Sequence, residues 1–516
     1  MPIGDYLVMA AQPEDTSHGE ATPWLFPSDF YGYLRPSRCG LRVWLREHGI
    51  EEEPPGVFAE RLMQLGIEHE RRHLARFPGA IDIGELPREA QREATIAAVE
   101  GGERVIYQGR LRATATLAGR RVEILGLPDF MLPARSGYAI RDSKLNRRIG
   151  SGQEHVRLQL EAYGWLYEQT FGAPPVALQI HAGGDEILTL DYEGGGDALA
   201  AFERILRYRL LDAEPADEHV GVAKCDGCGF RWRCWPAAEA RRDVGLIPFA
   251  DRGLIDELHR LGTATLGELL ERYDAEELAA LERPGWDGEP RPVGGRAERL
   301  LINARALLER RPILIRPPAI PAHPTYVMFD LEGMPPTIDQ AERIYIWGVQ
   351  AFGERPGPFR AGVAGFGGGG DRAGWESFLS EAERLFDELG PDVPFVHWAT
   401  YEKVKLNLYL ARYGDRDGIA ERVLANLLDL LPITRDAVAV PLPGYSLKQV
   451  ETLTGYRRRL EEFGGEWSMA RYIEATEAAE EARRAAIMDE ILAYNREDLE
   501  ATWAVLEWLR GLEGEG

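Results

Sequence analysis

Four cysteines give the most specific chemical signal in this 516-residue chain. Cys225, Cys228 and Cys234 form a C-x2-C-x5-C pattern in KCDGCGFRWRCW, and Cys39 lies far upstream of them. Four thiolates suit either an iron–sulfur cluster or a structural Zn²⁺ ion. Because one ligand is so distant from the other three, the spacing predicts a metal centre that holds the two ends of a domain together. Four unrelated thiols are the alternative.

A second reactive set, Asp129, Asp142 and Lys144, lies between these cysteines. VEILGLPDFML and YAIRDSKL alternate apolar and polar residues as strands do, and PARSG between them is a turn. An antiparallel hairpin centred on residues 135 and 136 would place Asp129 opposite Asp142, with Lys144 on the face of Asp142. Facing carboxylates repel unless a cation lies between them. Two acids and a lysine predict metal-assisted phosphodiester hydrolysis, and a solvated charged strand is the alternative.

A third set of reactive residues lies in the C-terminal part of the chain. Asp330 and Glu332 in VMFDLEG are two residues apart on a predicted strand and therefore share a face. Tyr494 and Asp498 in ILAYNREDLEAT are one turn apart on a predicted helix. Glu402, in FVHWATYEKVKL, follows a further predicted strand. Together these carboxylates would hold two divalent ions that contact the attacking and leaving oxygens of a phosphodiester, with Tyr494 orienting the water.

Three regions are needed to position these residues, and the chain is predicted to be an α/β multidomain protein. Residues 1–238 run from the lone cysteine to the cysteine cluster. Residues 239–324 read as short helices with glycine turns, either a helix-hairpin-helix module or a plain helical connector, and end in the Pro-rich linker RPPAIPAHP. Residues 325–516 begin with a strand and end with a long helix.

The order of the N-terminal motifs resembles that of the RecB-type branch of the PD-(D/E)xK nucleases. The chain carries G-x-x-H-E in LGIEHERRHL, then G-x-P-D, D-x-K and Q-x-x-x-Y. Its single and triple cysteines resemble the iron–sulfur members, which include the AddB nuclease domain and the CRISPR-associated 4Fe–4S exonucleases. The resemblance covers residues 30–238 and implies a restriction-endonuclease-like α/β/α core that acts on DNA.

This resemblance also implies roles for individual residues. His69, Asp129 and Asp142 would bind Mg²⁺ or Mn²⁺, and Lys144 would be catalytic. Gln159 and Tyr163 would contact DNA or brace the site. The cysteines would hold a structural 4Fe–4S cluster, with Zn²⁺ as the alternative: Cys39, Cys225, Cys228 and Cys234.

The C-terminal motifs resemble those of the RNase H-like DEDDy exonucleases over residues 325–510. The resemblance implies that Asp330, Glu332 and Asp498 bind Mg²⁺ or Mn²⁺ and that Tyr494 assists the reaction. The second motif of that family normally supplies aspartate, whereas this chain has Glu402 there. An RNase H-like fold that only binds nucleic acid is the alternative.

The sequence HERRH at residues 69–73 also matches H-E-x-x-H, the motif of zinc proteases. In those enzymes the two intervening positions are usually uncharged, and no convincing third ligand follows here. A protease is therefore a minor alternative, and His73 is predicted to be a surface or packing residue.

Composition limits the partners of the chain. A net charge of −24 argues against a broad coat of nucleic acid but leaves room for a local basic channel. No G-K-[ST] motif or long apolar run occurs, so we expect no Walker A motor, membrane span or secretory signal, and a cytoplasmic location. The sequence thus predicts a nuclease that acts on DNA at the first site and on DNA or RNA at the second, with a separate helicase as a partner. A non-catalytic nucleic-acid adaptor with a structural metal is the alternative.

Overall fold

The computed structural model of the protein describes residues 22–102, 104–146, 153–285, 288–335, 342–367, 369–460 and 464–512. The backbone divides into two compact units. The first comprises Met1–His219 and Lys224–Trp235, and the second comprises Val220–Ala223 and Pro236–Gly516. Both combine helices with sheets, so the predicted α/β multidomain class is confirmed.

The first unit contains two sheets among its described residues. One has the strand order β1-β5-β4 and the other the order β2-β3-β6-β7-β8-β9. The strands are β1 (Trp24–Leu25), β2 (Ile81–Asp82), β3 (Ile106–Tyr107), β4 (Leu111–Leu117), β5 (Arg120–Gly126), β6 (Phe130–Ala134), β7 (Gly137–Lys144), β8 (Leu178–Ala182) and β9 (Ile187–Leu190).

Helices pack against these sheets, and the most buried of them lies in the middle of the unit. This helix, Glu154–Phe171, buries nine side chains or glycines, because apolar residues occur on most of its circumference. The helices that begin in this unit are α1 (Asp29–Leu34), α2 (Gly40–Glu47), α3 (Val57–Leu74), α4 (Arg88–Gly101), α5 (Glu154–Phe171), α6 (Gly196–Arg209) and α7 (Arg231–Arg241).

The hairpin β6–β7 has the predicted centre but shorter strands than the sequence indicates. Ala134 pairs with Gly137, which leaves a two-residue turn at positions 135 and 136. The segment VEILGLPDFML is not one strand, since β5 ends at Gly126 and belongs to the other sheet. Pro128 lies in the break, where it has no N–H group to donate to a ladder. Asp129 therefore lies just before β6 rather than within a strand.

The second unit begins with a helical region that has its own apolar core of leucine, isoleucine, valine and alanine side chains. Asp251, Thr265 and Asp274 cap its first three helices, and Gly262 forms a turn at φ +74°. The short helices and this turn agree with the sequence pattern, and a helix-hairpin-helix module stays a prediction. The elements are α8 (Arg252–Arg260), α9 (Leu266–Arg272), α10 (Ala275–Ala280), β10 (Glu282–Pro284), β11 (Pro290–Pro292) and α11 (Ala297–Glu309), with 3₁₀ turns at Val244–Leu246 and Gly294–Arg296.

The Pro-rich segment that follows is anchored at its start rather than free. Strand β12 (Ile313–Leu314) pairs antiparallel with β18 (Val438–Ala439), and Ile315 N–H donates to the Ala437 carbonyl at 2.7 Å. No helix or strand is assigned to residues 316–324.

The rest of the second unit is built on a five-stranded sheet of order β15-β14-β13-β16-β17. The pairs β15–β14 and β14–β13 are antiparallel, and β13–β16 and β16–β17 are parallel. The strands are β13 (Thr325–Gly333), β14 (Ile344–Gly353), β15 (Arg360–Val363), β16 (Phe395–His397) and β17 (Leu427–Asp429).

Helices of this region pack on the sheet, and the last of them is the longest described helix of the chain. The helices are α12 (Gly370–Leu389), α13 (Tyr401–Tyr413), α14 (Ile419–Ala425), α15 (Leu430–Ala437), α16 (Leu447–Val450), α17 (Gly465–Glu477) and α18 (Glu481–Leu512), with a 3₁₀ turn at Glu451–Leu453. Among the described residues, no helix is both long and apolar enough to cross a membrane.

Candidate active sites

The C-terminal acidic residues converge as the sequence predicts. Asp330 and Glu332 lie on the central strand β13, and Asp498 lies on α18, which packs against β13 and β14. One carboxylate oxygen from each of the three lies within 4.8 Å of the others. Oxygen ligands at this spacing are the donor set that Mg²⁺ and Mn²⁺ prefer, so these residues fit a divalent ion.

Burial and mutual repulsion act on this cluster. Burial together with the charges of Asp498 and Glu332 raises the pKa of Asp330 well above its usual value. Burial and Asp498 also raise the pKa of Glu332, to about 8. A divalent ion bound between these carboxylates would favour their charged forms.

Asn495 fixes the orientation of Asp330. Its amide Nδ2 donates to Asp330 Oδ2 at 2.6 Å, and the Asn495 side chain is fully buried. Gly348 on β14 pairs with Asp330 in the sheet. A Cβ atom at position 348 would lie 1.8 Å from Asn495 Oδ1, so only glycine leaves room for this amide. The glycine thereby permits the close approach of α18 to the sheet.

Arg458 supplies the positive charge nearest to the cluster. Its guanidinium makes two hydrogen bonds of 2.8 Å to Glu451 and one of 2.5 Å to Asp498 Oδ1. Burial opposes its charge, yet Glu451 and Asp498 raise the pKa of Arg458 above its usual value. Lys448 adds a second positive charge that favours ionisation of Glu332 and Asp498. Arg458 lies in no motif that the sequence reveals, so only the fold places it at the site.

Glu402 lies beside the three-carboxylate cluster but outside the 4.8 Å set. It lies in the first turn of α13, is buried, and has an oxygen 3.2 Å from His397 Nδ1. Its charge contributes to the raised pKa of Asp330, so the two carboxylates are neighbours. Asp429 also acts on Glu402 electrostatically and accepts a hydrogen bond of 2.9 Å from Ala399 N–H.

Tyr494 is buried one helical turn before Asp498. A hydrogen bond from its hydroxyl lowers the pKa of Asp498, although burial raises that pKa more. Burial, together with the charges of Glu332, Asp498 and Asp330, holds the pKa of Tyr494 far above its usual value. The neutral hydroxyl is therefore a hydrogen-bond donor at ordinary pH.

The N-terminal hairpin brings Asp129, Asp142 and Lys144 together. Asp142 is buried and pairs with the Lys144 ammonium. Asp129 Oδ2 accepts a hydrogen bond of 2.7 Å from the backbone N–H of Ser143. Burial and the charge of Asp142 raise the pKa of Asp129 well above its usual value. Burial opposes the charge of Lys144, but Asp142 and Asp129 raise its pKa.

Glu70, rather than His69, faces this acid pair. Burial and the charge of Asp142 raise the pKa of Glu70, and Glu70 in turn acts on Asp129. Its Oε1 accepts a hydrogen bond of 2.6 Å from the Tyr107 hydroxyl. Neighbouring residues on a helix point about 100° apart, so Glu70 and His69 are directed toward different surroundings here. His69 Nε2 instead lies 3.3 Å from the His181 carbonyl oxygen.

Gln159 and Tyr163 reach the same acids from α5. Gln159 Nε2 donates to the Tyr163 hydroxyl at 2.9 Å. Burial and the charges of Asp142 and Asp129 raise the pKa of Tyr163 well above its usual value. The motif pair predicted to contact DNA or brace the site therefore lies next to the carboxylates.

His69 belongs instead to a stack of three histidine rings. Its ring centre lies 4.2 Å from that of His181, and the ring of His73 lies 3.7 Å from the same partner. His73 Nε2 is 3.1 Å from an Arg141 nitrogen, and its pKa is lowered to about 3 by burial and by the charges of His181 and Arg141. His73 is thus a packing residue, as one of the two predicted alternatives states.

This stack does not have the form of a zinc-protease site. One ligand atom each of His69, His181 and Asp185 lies within 4.8 Å of the others. However, the His69 and His181 rings are stacked and only 5° from parallel. Because a nitrogen lone pair lies in the plane of its ring, the lone pairs of two stacked rings do not converge on one ion. His181 Nε2 already contacts Asp185 Oδ1 at 3.0 Å. The local geometry therefore favours packing over catalysis by HExxH.

The cysteines lie where two distant segments are joined by hydrogen bonds. Ser37 Oγ donates to the Lys224 carbonyl at 2.6 Å, and Gly40 N–H donates to Glu218 at 2.6 Å. Burial raises the pKa of Cys39 to about 11, with Cys225 among the charges that act on it. The charges of Cys225 and Cys228 likewise act on Cys234. No three of these four described thiols lie within 4.8 Å of one another.

Comparison with known proteins identifies one region. Residues 328–510 match the family described as the RNase H superfamily, so the chain contains an RNase H superfamily domain there. This match spans the strand with Asp330 and Glu332 and the helix with Tyr494 and Asp498. No curated protein matches the sequence.

Two solved structures each share 16% sequence identity with the chain. The crystal structure of SSO0001 aligns with 45% of this chain and 96% of its own, at a TM-score of 0.23. A protein from Eubacterium rectale, described provisionally as an exonuclease, aligns with 40% of this chain and 90% of its own, at a TM-score of 0.24. TM-scores this low do not establish a shared fold.

Proposed function

We propose that the protein is a metal-dependent nuclease with two hydrolytic sites. The observation that carries the proposal is the convergence of Asp330, Glu332 and Asp498 within an RNase H superfamily domain. RNase H-like nucleases use divalent metals, and this cluster offers the oxygen donors that such metals need. The substrate of this site is DNA or RNA, cleaved from the 3′ end in the DEDDy manner.

The residues of the C-terminal site divide into ligands and groups that orient them. Asp330, Glu332 and Asp498 would hold Mg²⁺ or Mn²⁺, which polarises the phosphate and lowers the pKa of a bound water. The Tyr494 hydroxyl donates its hydrogen to Asp498, and its oxygen would accept a hydrogen bond from the attacking water and so orient it. Glu402 lies at the edge of the cluster, at the position where the DEDDy exonucleases have the aspartate of their second motif, and it would supply a further carboxylate.

Asn495 and Arg458 act through the carboxylates rather than on the substrate. Asn495 holds the Asp330 carboxylate in one rotamer through its 2.6 Å hydrogen bond. Arg458 orients the Asp498 carboxylate and favours its charged form against the larger effect of burial, while Glu451 holds the guanidinium from the other side. Preorganised ligands of this kind reduce the rearrangement needed when a metal and a phosphate bind.

The N-terminal site is a RecB-like PD-(D/E)xK nuclease site for DNA, within a restriction-endonuclease-like core. Asp129, Asp142 and Glu70 would hold the Mg²⁺ or Mn²⁺ ion, and Glu70 replaces His69 in this role. Lys144 donates to the attacked phosphate or orients the water, because its raised pKa keeps the ammonium charged. Gln159 and Tyr163 brace the acids from α5.

The cysteines hold a 4Fe–4S cluster in this proposal. A tetrahedral Zn²⁺ with Zn–S bonds of about 2.3 Å brings its four sulfurs to within about 3.8 Å of one another. The thiols here are more widely spaced, since no three lie within 4.8 Å. The described thiols therefore do not form the tight tetrahedron of a single Zn²⁺ ion, and four thiolates are also the ligand set of a 4Fe–4S cluster. Its role is structural: it joins the segment of Cys39 to that of Cys225, Cys228 and Cys234.

Anaerobic purification tests the cluster directly. The protein should be brown, with broad absorption near 400 nm and about four irons and four inorganic sulfides per chain. The Cys228→Ser variant should lose this colour. A colourless protein with one zinc per chain would contradict the cluster and leave both nuclease assignments standing.

Degradation of end-labelled DNA and RNA, single- and double-stranded, tests the two hydrolytic sites. Wild-type protein with Mg²⁺ or Mn²⁺ should be compared with Lys144→Ala, Asp498→Ala and the double variant. Each single variant should lose one activity and keep the other, and the double variant should lose both. Full activity in the double variant would exclude both assignments. An inactive wild type that still binds DNA and metal would favour the nucleic-acid adaptor instead.

A further inference from the structure

We propose that a basic and aromatic cavity in the second unit binds a nucleotide of a single nucleic-acid strand. The cavity has a volume of about 430 Å³ and lies between the helical region and the RNase H superfamily domain. That volume falls within the range of small-ligand pockets, about 300–1,000 Å³. Six residues line it: Phe249, Arg299, Ile315, Arg316, Arg435 and Asp436.

The charge of the cavity is opposite to that of the whole protein. Three arginines and one aspartate line it, whereas the chain has a net charge of −24. Arg316 pairs with Asp436 at 2.5 Å. Arg299 and Arg435 form no ion pair among the described residues. Unneutralised guanidinium groups in an acidic protein attract an anion, and a phosphate can accept two hydrogen bonds from one of them.

An aromatic ring next to these arginines supplies a surface for a base. Phe249 is 42% exposed, although the ring of Tyr445 stacks on it with centres 5.4 Å apart. The Arg435 guanidinium lies 5.0 Å from the centre of the Phe249 ring. Bases stack both on aromatic rings and on guanidinium planes, so the exposed side of this pair can receive a base.

The backbone conformation at Phe249 supports a role in binding for its exposed ring. Its φ angle is +68°, a conformation that bulky side chains rarely adopt. Such strained positions are kept where the surrounding structure requires them, and they concentrate at binding sites. In this backbone conformation the Phe249 ring lines a cavity that is open to water instead of packing in the core.

The cavity is connected to the carboxylate site by one short helix. Arg435 and Asp436 lie near the end of α15, and Asp429 caps its start while acting electrostatically on Glu402. Eight residues of helix span about 12 Å, at about 1.5 Å per residue. About three to four nucleotides cover this distance at a rise of about 3.4 Å each.

A second connection runs through Tyr445. The Tyr445 carbonyl accepts a hydrogen bond of 3.2 Å from Trp398 Nε1, and Trp398 follows His397, the neighbour of Glu402. A strand whose 3′ end lies at the carboxylates would therefore place an upstream nucleotide on Phe249. Only the direction of the strand, with its 3′ end at the carboxylates, rests on the proposed function. Binding of a nucleotide in the cavity does not depend on cleavage.

Binding should be measured by fluorescence anisotropy in EDTA, with a short labelled single-stranded DNA and the matching RNA. Without metal no cleavage occurs, so failure of the nuclease assignment leaves this test intact. Phe249→Leu removes the aromatic face but keeps an apolar side chain, and Phe249→Tyr restores the face. We expect Phe249→Leu to bind about 5- to 100-fold more weakly, and Phe249→Tyr to bind within about twofold of wild type.

Salt dependence provides an independent measure of the phosphate contact. Arg435→Gln should reduce the slope of log K against log salt by about 0.7, the value for one phosphate contact on a single strand. Arg372→Gln, which changes an exposed arginine paired with Glu376 on α12, is the matched control and should leave the slope unchanged.

Three results would overturn the proposal. They are wild-type affinity in Phe249→Leu, an unchanged salt slope in Arg435→Gln, and competition by a free mononucleotide as strong as by the strand. The last result would identify a site for a free nucleotide instead of a strand. Circular dichroism spectra that match wild type ensure that a loss of binding does not reflect misfolding.

Discussion

The two acidic sites differ in how far apart in sequence their parts lie. In the N-terminal site Lys144 neutralises Asp142 from two residues away on the same strand. In the C-terminal site the counter-charge of Asp498 comes from Arg458, 40 residues earlier, and the amide on Asp330 comes from Asn495, 165 residues later. The pairing of Asp142 with Lys144 depends on strand register, whereas the contacts to Asp498 and Asp330 depend on packing of helices and loops against a sheet.

The sites also differ in how closely their carboxylates approach. Three carboxylates of the C-terminal site lie within 4.8 Å of one another, and no such group forms around Asp129 and Asp142 among the described residues. A tight cluster has a larger repulsion to relieve. The C-terminal site should therefore couple metal binding to stability more strongly, and the N-terminal site should depend more on its lysine.

Loss of one charged group at each site should have the largest effects. Asp498→Asn removes a metal ligand, and Lys144→Ala removes the cation that contacts the acids, so each should reduce its own activity at least about 10³-fold. Lys403→Ala, at a lysine on α13, is the control and should keep both activities. Endpoint assays on DNA and RNA measure this, and equal loss of both activities in one variant would show that the sites are not independent.

Substitutions at Glu70 and at its neighbour His69 should show which of the two contributes to cleavage at the N-terminal site. Glu70→Gln should reduce N-terminal cleavage about 10²-fold, because it removes a charge that faces Asp129 and Asp142. His69→Gln should change cleavage less than tenfold, since its ring stacks on His181 instead. Single-turnover rates at saturating Mn²⁺ provide the measurement. The reverse order of effects would return His69 to the ligand set.

Gly348→Ala should impair the C-terminal site alone. The new methyl group would meet Asn495 Oδ1, so α18 or the amide must move, and overpacking of this kind costs about 1–3 kcal/mol of stability. Gly357→Ala is the matched control, since its Cβ would lie at an ordinary 3.5 Å from Ala351. Urea unfolding and both cleavage assays test this. Wild-type stability and activity in Gly348→Ala would contradict the close packing of Asn495.

The pH dependence of stability should identify the tighter cluster. The pKa of Glu332 is raised from 4.5 to about 8, so the folded protein binds more protons than the unfolded chain between these pH values. Metal-free protein should therefore lose stability as pH rises through this window, by at most about 1.4 kcal/mol per pH unit. Mn²⁺ should reverse the loss.

Glu332→Gln provides the control for this pH effect, because the amide does not titrate. Its stability should vary less with pH than that of wild type, and Mn²⁺ should stabilise it less. Thermal unfolding from pH 5 to pH 9, with and without Mn²⁺, measures both quantities. A wild-type protein that becomes more stable with rising pH in the absence of metal would contradict the assignment.

The sequence predicts those parts of the sites that depend on periodicity. Strand alternation places Asp330 with Glu332, helix spacing places Tyr494 with Asp498, and the turn at residues 135 and 136 places Asp129 opposite Asp142. The pattern could not predict the rotation of α3 about its axis. His69 and Glu70 are adjacent, and only the packing of the helix determines which of them faces the acids.

Residues that act through tertiary contacts were the ones that sequence reasoning missed. Asn495 follows Tyr494 directly, so its place in the C-terminal motif was a usable signal. Arg458 gave no such signal, since it is one of three consecutive arginines in YRRRL and only the fold distinguishes it from the others. Phe249 likewise lies in no motif, and its exposure becomes evident only once the cavity is known.

Gly348 has a consequence for genetic variation in this protein. We expect a random mutagenesis screen for inactive variants to recover substitutions at Gly348 as well as at Asp330 and Asp498, although glycine has no side chain that could touch a substrate. Every other amino acid carries the Cβ atom that collides with Asn495. The proposed activity of the C-terminal site therefore requires that position 348 have no Cβ atom, just as it requires the carboxylate oxygens of Asp330 and Asp498.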